Sequence, residues 1–218
     1  MSFKHACFVS YSHGAHGVVQ GFMEELQKTL DAQMEIYLKH SNFGITNTKD
    51  KLYFIDLERI TTGTVVDEKI EEGLFYSVCM LVAYWPAYMQ SDYCMRELEG
   101  MKKIEKLRKK HCNYPDNTEC LIFPVYFRKP VQVHDIFPAN GIDVSKYFLA
   151  TGGISDAEQF ATVIDEICQK IAEHFTCFNN KQEKLKDFFT KRASFTLPPA
   201  KPRKLTQTQP LISRMGAN

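Results

Sequence analysis

Apolar residues follow two patterns along this chain, short continuous runs and longer stripes of helical period. Continuous runs bounded by polar residues are typical of strands that are buried on both faces of a sheet. Stripes in which apolar residues recur about every 3.6 positions predict amphipathic helices. The predicted strands are 6–11, 51–56, 77–84 and 120–127, and the predicted helices are 18–30, 65–74, 92–110 and 157–191. The last segment fits either one long helix or two helices with a break near 179–180. A short edge strand near 146–149 is a further candidate, in an otherwise irregular segment, 131–148.

The alternation of strands and helices predicts an α/β fold built from βαβ units, with a mostly parallel sheet. Such sheets carry their functional sites at the carboxyl ends of the strands, beside the point where the strand order reverses. In this chain those ends are 10–13, 56–63 and 84–89. We therefore expect loops from separate parts of the sequence to meet at one rim of the sheet.

A helix is predicted to begin at that rim, directly after Ser91. The hydroxyl of Ser91 is suited to accept a hydrogen bond from a backbone N–H of the first turn. Cys94, Leu98 and Met101 recur at helical spacing and predict the face that packs inward. Glu97 lies next to that face, so its carboxylate could reach a cleft at the start of the helix, although an ordinary solvated residue fits the same pattern. The basic carboxyl end of the helix suits the helix dipole.

Composition and charge narrow the class of protein. The chain has 218 residues, 44% of them hydrophobic, which is enough for one domain with a sizeable core. Lysine and arginine total 27 against 26 acidic residues, so the net charge predicts attraction to neither nucleic acid nor a membrane surface. Cysteines without C-x-x-C spacing, and an amino terminus without a signal pattern, predict a reduced, cytoplasmic protein.

Several segments carry sequence motifs in one order along the chain. They are Phe8–Ser12 on the first strand, Phe54–Asp56 with Gly63 on the second strand and its loop, Ile70–Tyr84 with Tyr88, Ser91–Leu98, and Leu121–Phe127 on the fourth strand. Together they resemble the TIR (Toll/interleukin-1 receptor/resistance) domain, over Ala6 to Phe175. The S-D-Y-C-M-R-E-L segment is similar to the S-x-W-C-x-x-E-L motif of plant and bacterial members, with Tyr93 where tryptophan is common. The acidic residue that often follows the first-strand motif is replaced by His-Gly-Ala-His at 13–16.

The resemblance implies a fold and a division of the chain. The fold of the family is a flavodoxin-like three-layer sandwich with a mostly parallel central sheet. Residues 1–178 would form the TIR domain and 179–193 a helical extension. Residues 194–218, rich in proline and basic residues and without acids, are predicted to be a flexible basic tail. Within the family, the chain is most similar to bacterial stand-alone proteins of antiphage defence.

The resemblance also implies an activity. In the enzymatic branch of the family, the glutamate of this helix motif is the catalytic residue that breaks the N-glycosidic bond of NAD⁺, and in this chain that residue is Glu97. NAD⁺ would be a substrate, split into nicotinamide and ADP-ribose or a cyclic or conjugated ADP-ribose, and no cofactor is implied. The chain has neither a G-x-G-x-x-G fingerprint nor a P-loop, which agrees with this use of the dinucleotide. Glu99 lies on a different face of the helix and is expected to be dispensable.

Further residues at the predicted rim are candidates for binding the substrate. They are Ser10, Tyr11, Ser12, Arg59, Trp85 and Tyr88. The aromatic rings could stack on adenine or nicotinamide, although packing explains an aromatic residue at a strand end equally well. The serine hydroxyls could bind phosphate or ribose or only satisfy the loop backbone, and the arginine could pair with the pyrophosphate or be a surface charge. No metal site is predicted, because His13 and His16 lack a third ligand.

The candidate functions fall into different classes. The first is a TIR-domain NAD⁺ hydrolase or cyclase of prokaryotic antiphage immunity that is active on assembly. The alternative is a non-enzymatic adaptor that signals through TIR–TIR contacts of the 57–66 loop and neighbouring helices, for which Glu97 is not needed. A nucleoside-transferase relative is a third reading, since it shares a similar fold and glycosidic chemistry. The expected partners are NAD⁺, other copies of the chain and a separate trigger or effector protein, whereas nucleic acid and membranes are not expected.

Overall fold

The computed structural model describes residues 3–12, 17–39, 53–54, 64–112, 120–128, 137, 141–145, 157–179 and 182–199. Within these residues, strands and helices alternate as the sequence predicts. The strands are β1 (His5–Tyr11), β2 (Tyr53–Phe54), β3 (Ser77–Tyr84), β4 (Ile122–Tyr126) and β5 (Ile142–Asp143). The helices are α1 (Gly17–Lys39), α2 (Thr64–Tyr76), α3 (Asp92–Cys112), α4 (Ala157–Asn179) and α5 (Gln182–Phe189), with 3₁₀ helices at Pro86–Gln90 and Arg192–Ser194.

The described strands form one parallel sheet in the order β2-β1-β3-β4-β5. The chain passes from β1 to β2 in one direction and from β3 to β4 in the other, so the strand order reverses between β1 and β3. This order is that of flavodoxin-like proteins. The predicted α/β class with a mostly parallel sheet is confirmed, and the carboxyl ends of β1 and β3 flank the point of reversal.

Helices cover both faces of this sheet. α1 and α4 pack against each other on one face, while α2, α3 and α5 lie on the other. On the second face Phe8 stacks on Phe54, with ring centroids 5.3 Å apart. The ring of Phe54 lies so close to Gly73 of α2 that a Cβ added there would be 2.6 Å from it, so this helix needs glycine to reach the sheet. The expected three-layer sandwich is therefore present.

Continuous apolar sequence and burial coincide in the central strand. All of Ser77–Tyr84 is buried, as expected for a parallel strand with helices on both faces. Above it, the side chains of Cys94, Leu98 and Met101 are 0% exposed, which confirms the inward face predicted for α3.

Arg108, one of the basic residues at the carboxyl end of α3, is buried in this core. Only 1% of it is exposed. Its guanidinium donates to the backbone carbonyls of Phe75, Ser77 and Val78, where α2 ends and β3 begins. Three aromatic rings lie 4.8 to 5.5 Å from it, those of Phe3, Phe178 and Phe188. The position continues the inward stripe of Cys94, Leu98 and Met101, but periodicity did not indicate how the charge is solvated, because the carbonyls and rings come from other elements.

Several element boundaries differ from the sequence-based expectations. β5 lies at Ile142–Asp143, inside the segment predicted to be irregular, because two residues are too short to show a periodicity. It pairs with β4 through Val125 and Ile142. The alternative edge strand at 146–149, and residues 51–52 and 55–56 of the predicted second strand, lie outside the described residues. Of the two alternatives for 157–191, the structure has two helices, since α4 ends at Asn179 and α5 begins at Gln182.

The packed part of the chain extends beyond the tail boundary expected at position 194. Phe195 and Leu197 are buried, with exposed fractions of 4% and 8%. Arg96 of α3 donates from Nε to the carbonyl oxygen of Pro198 at 2.9 Å. Phe195 and Leu197 thus pack against α2 and α3, near Phe75 and Gly100. The proline-rich composition of this segment does not indicate that packing. Residues 200–218 of the predicted tail lie outside the described part of the chain.

Candidate functional site

The carboxyl ends of β1 and β3 form the floor of the candidate site. Ser10 is paired with Val82 and Tyr11 with Ala83 in the parallel register of these strands. Successive side chains of a strand point to opposite faces of the sheet. Ser10 therefore shares the α2 and α3 face with Phe8, whereas Tyr11 belongs to the opposite face.

A 3₁₀ helix and a capped α-helix follow β3. Trp85 is extended (φ −133°, ψ 154°), and Pro86 then begins the 3₁₀ helix, since proline cannot continue the strand's hydrogen bonding. Ser91 caps α3: the backbone N–H of Cys94 donates to Ser91 Oγ at 3.3 Å, which confirms the predicted N-cap. The capped first turn brings the next turn of α3 over the end of β1.

Glu97 occupies that turn and points into the protein. It is 1% exposed. Its Oε2 accepts a hydrogen bond from Ser10 Oγ at 2.5 Å. The hydroxyl of Tyr88 lies 2.9 Å from the same Ser10 Oγ and 3.3 Å from the carbonyl oxygen of Cys94. A strand end, a 3₁₀ helix and an α-helix therefore meet at one buried carboxyl group.

An aromatic cluster adjoins this network on the α3 face of the sheet. It consists of Tyr84, Tyr88, Tyr126 and Phe137, whose ring centroids lie 5.5 to 6.5 Å apart. Burial raises the pKa of Tyr84 and raises that of Tyr126 to about 12, so both phenols stay neutral at ordinary pH. Although buried, the Tyr126 hydroxyl has no hydrogen-bond partner among the described residues. Tyr88 belongs both to this cluster and to the hydrogen-bond network of Glu97, so it joins the two.

Two of the predicted substrate-binding residues, Ser10 and Tyr88, belong to the hydrogen-bond network of Glu97. The hydroxyl of Ser10 bonds to the carboxyl group and to the hydroxyl of Tyr88. Tyr88 is 0% exposed, so its ring has no free face on which a base could stack in this structure.

The other predicted rim residues are more dispersed. Tyr11 and Ser12 are buried, at 9% and 8% exposed. Trp85 is partly buried and packs against the core, which favours the packing interpretation of that residue. Arg59, like the histidines at 13 and 16, lies outside the described residues.

Sequence reasoning missed three members of the aromatic cluster. Tyr84 and Tyr126 both end central strands and are directly paired, so tyrosines at the carboxyl ends of neighbouring parallel strands were the available signal. Phe137 follows from no local pattern. Tyr93, which stands where tryptophan is common in the motif that this segment resembles, is 42% exposed, with its ring centroid 5.8 Å from the guanidinium carbon of Arg96.

Charged residues beside Glu97 on α3 are engaged elsewhere. Arg96 binds both carboxylate oxygens of Asp67 on α2, at 2.7 and 3.1 Å. This hydrogen bonding is the main reason that the pKa of Arg96 is raised. Glu99 is about one-third exposed and pairs with Lys102 at 3.3 Å, as a surface residue would. The helix thus directs one carboxylate inward and the other outward.

Within the described ranges, no three or more His, Cys, Asp or Glu side chains are grouped so that they could hold a metal ion. None of the described helices combines the length and the apolar character needed to cross a membrane. No protein-family model matches the chain. No curated protein matches it either.

Proposed function

We propose that this chain is a TIR-type NAD⁺ glycohydrolase in which Glu97 is the catalytic residue. The position of Glu97 supports the proposal most. This carboxyl group is 1% exposed and hydrogen-bonded to Ser10 beside the point where the strand order reverses. Ligand sites of doubly wound α/β proteins lie at that point. Burying a carboxyl group costs free energy, and such groups are concentrated at functional sites.

The chemistry of NAD⁺ cleavage needs a carboxylate in such a place. When the bond between nicotinamide and ribose breaks, its electron pair leaves with nicotinamide and positive charge develops on the ribose. Because nicotinamide departs from a cationic ring as a neutral molecule, a general acid is not obligatory. A fixed anion next to the ribose stabilises the developing charge, and does so more strongly where water is excluded. Glu97 would supply that anion.

The proposal also extends to the products and the setting. Addition of water to the ribose gives ADP-ribose, and addition of another nucleophile gives a cyclic or conjugated ADP-ribose. We place the enzyme in the cytoplasm of a prokaryote, where it would act in antiphage defence. Self-association would complete its site, and a separate trigger or effector protein would complete the signalling. These parts rest on the motif resemblance, with Glu97 as its central residue.

The test is release of nicotinamide from NAD⁺ by the purified full-length chain, followed by chromatography. Glu97→Gln keeps the size of the side chain and an oxygen that Ser10 can still donate to, but removes the negative charge. We expect it to lower the rate by about a hundredfold or more. Glu99→Gln is the matched control, because it removes a carboxylate two residues away on the exposed face, and we expect it to retain the wild-type rate.

Two results would overturn the proposal. The first is equal nicotinamide release by the wild type and Glu97→Gln. The second is no release by the wild type at any protein concentration at which it self-associates, which would instead favour the adaptor function. Thermal unfolding of each variant separates loss of the charge from loss of the fold.

A further inference from the structure

Two hydroxyl groups and a carbonyl oxygen continue the hydrogen bonding of Glu97 into the protein. Ser10 Oγ lies 2.5 Å from Glu97 Oε2 and 2.9 Å from the Tyr88 hydroxyl. That hydroxyl lies 3.3 Å from the carbonyl oxygen of Cys94. Each hydroxyl donates one proton and can also accept. These groups therefore form one chain of hydrogen bonds whose protons can point in either direction.

The direction depends on whether Glu97 is ionised. An ionised carboxylate only accepts, so Ser10 donates to it and Tyr88 donates to Ser10. A protonated carboxyl group donates to Ser10, which then donates to Tyr88, and Tyr88 donates to the carbonyl oxygen of Cys94. In both states each hydroxyl proton of the chain has an acceptor. Neither state therefore leaves a buried donor unsatisfied, which would cost about 1–3 kcal/mol.

We propose that Ser10 and Tyr88 are positioning residues that hold Glu97 in one orientation while its carboxyl group gains and loses a proton. Both residues are 0% exposed, so bulk water does not compete for these bonds. Reversal needs only rotation of two hydroxyl protons, while the oxygen atoms stay in place. The three side chains come from β1, the 3₁₀ helix and α3, so the same contacts also join these elements.

The consequence for catalysis rests on the proposed function. In NAD⁺ hydrolysis, the ribose–nitrogen bond breaks and water oxygen bonds to the ribose carbon. One proton of that water is released. Glu97 must be ionised while positive charge develops on the ribose, and its carboxylate can then accept the proton. A network that is complete in both protonation states lets Glu97 serve in both steps without moving.

Other ionisable groups near Glu97 bear on its titration. On the elements packed around it, they include Tyr84 and Tyr126 of the strands, Cys94 of its own helix, the Arg96–Asp67 pair between α3 and α2, and Glu71 and Tyr93, whose charges act on Arg96. Burial raises the pKa of both strand tyrosines, so they remain neutral while carboxyl groups titrate. Arg96 already binds two oxygens of Asp67. Substitution of Ser10 removes a direct hydrogen bond to Glu97, and substitution of Tyr88 removes the hydrogen bond that follows it.

The experiment follows the side-chain carboxyl carbon of Glu97 by NMR in ¹³C-glutamate-labelled protein over a pH titration. Glu97→Gln identifies the signal by its loss. Ser10→Ala removes the direct hydrogen bond to the carboxylate, so the titration midpoint of Glu97 should rise by about one pH unit or more relative to the wild type. Tyr88→Phe removes only the second bond of the chain and should raise the midpoint less. The acid limb of the nicotinamide-release profile should move in the same order.

Tyr126→Phe is the matched control, because it removes a buried hydroxyl of the same aromatic cluster that takes no part in the hydrogen bonds of Glu97, Ser10 and Tyr88. It should leave the titration midpoint of Glu97 unchanged. Ser10→Cys keeps a weak donor at nearly the same size, so its midpoint should fall between those of the wild type and Ser10→Ala. It replaces Ser10→Ala if that variant does not fold. An unchanged midpoint in both Ser10 variants, or an equal rise in Tyr126→Phe, overturns the proposal. The titration uses no NAD⁺, so it decides the question even if the chain releases no nicotinamide.

Discussion

His174 is a buried histidine that should make the stability of this protein depend on pH. It lies on α4, 4% exposed, with its ring nearly parallel to that of Phe123 at a centroid distance of 6.3 Å. Burial lowers the pKa of His174 from 6.5 to about 4. The nearby charges of Lys170 and Arg108 act in the same direction, whereas Glu105 opposes them.

The sign and size of the effect follow from proton binding. Between about pH 6.5 and about pH 4, the unfolded chain binds a proton at this histidine and the folded chain does not. The contribution of neutral His174 to the unfolding free energy is therefore fully present above about pH 6.5, and it is lost as the pH falls through this window. Since one pH unit corresponds to about 1.4 kcal/mol, lowering the pH from about 7.5 to about 5 should cost about 2 kcal/mol at this residue.

Urea unfolding of the wild type and of His174→Phe at both pH values measures this cost. Phenylalanine cannot titrate and can still stack on Phe123. The loss of unfolding free energy between the two pH values should be about 2 kcal/mol smaller in the variant than in the wild type. The comparison cancels the contributions of all other titrating groups. Between two pH values that both lie above about pH 7, the change in unfolding free energy should be the same in the two proteins. Equal losses in both proteins at the lower pH would refute the reasoning.

The remaining predictions concern stability. Arg108→Lys keeps the charge but cannot donate to three backbone carbonyls in a planar arrangement, so it should lower the unfolding free energy by about 2 kcal/mol or more. In the same urea assay, Lys106→Ala on the exposed side of that helix should change it by less than about 0.5 kcal/mol, and equal effects would contradict the buried role. Leu197→Asp places a charge against α2 and α3 and should cost about 2 kcal/mol or more, whereas Thr196→Asp, on an exposed neighbour, should cost little. Similar melting temperatures for these two variants would show that residues 195–199 are not packed.

The fold could be predicted from local patterns, because each pattern reports the surroundings of its own element. The continuous apolar run at 77–84 indicates a strand covered on both faces, and the structure buries every residue of it. Ser91 followed by an apolar stripe indicates a capped helix, and the cap is present. Alternation of such elements leaves few chain paths, so the parallel sheet and its point of reversal follow.

The environment of Arg108 could not be predicted in this way. Arg108 lies seven residues after Met101 and so continues the inward stripe of α3, but this spacing does not indicate how a buried charge there would be solvated. Its burial depends on the end of α2, the start of β3 and rings from three other parts of the chain. Likewise, Phe195 and Leu197 are packed only because α2 and α3 present a surface that accepts them.

The candidate site, too, could be predicted only in part. The sequence by itself determined that Glu97 stands one turn into a capped helix, beside its apolar face, at the rim where strand ends meet. Only the tertiary structure decided that this carboxyl group is buried and that its partners are hydroxyls. Ser10 is 87 residues from Glu97 and 78 from Tyr88 in sequence. The contacts of Ser10 with these two residues therefore depend on strand register and on the packing of α3 against β1. A periodic pattern indicates which side of an element faces inward, but the group that it meets there is set by the packing of elements distant in the chain.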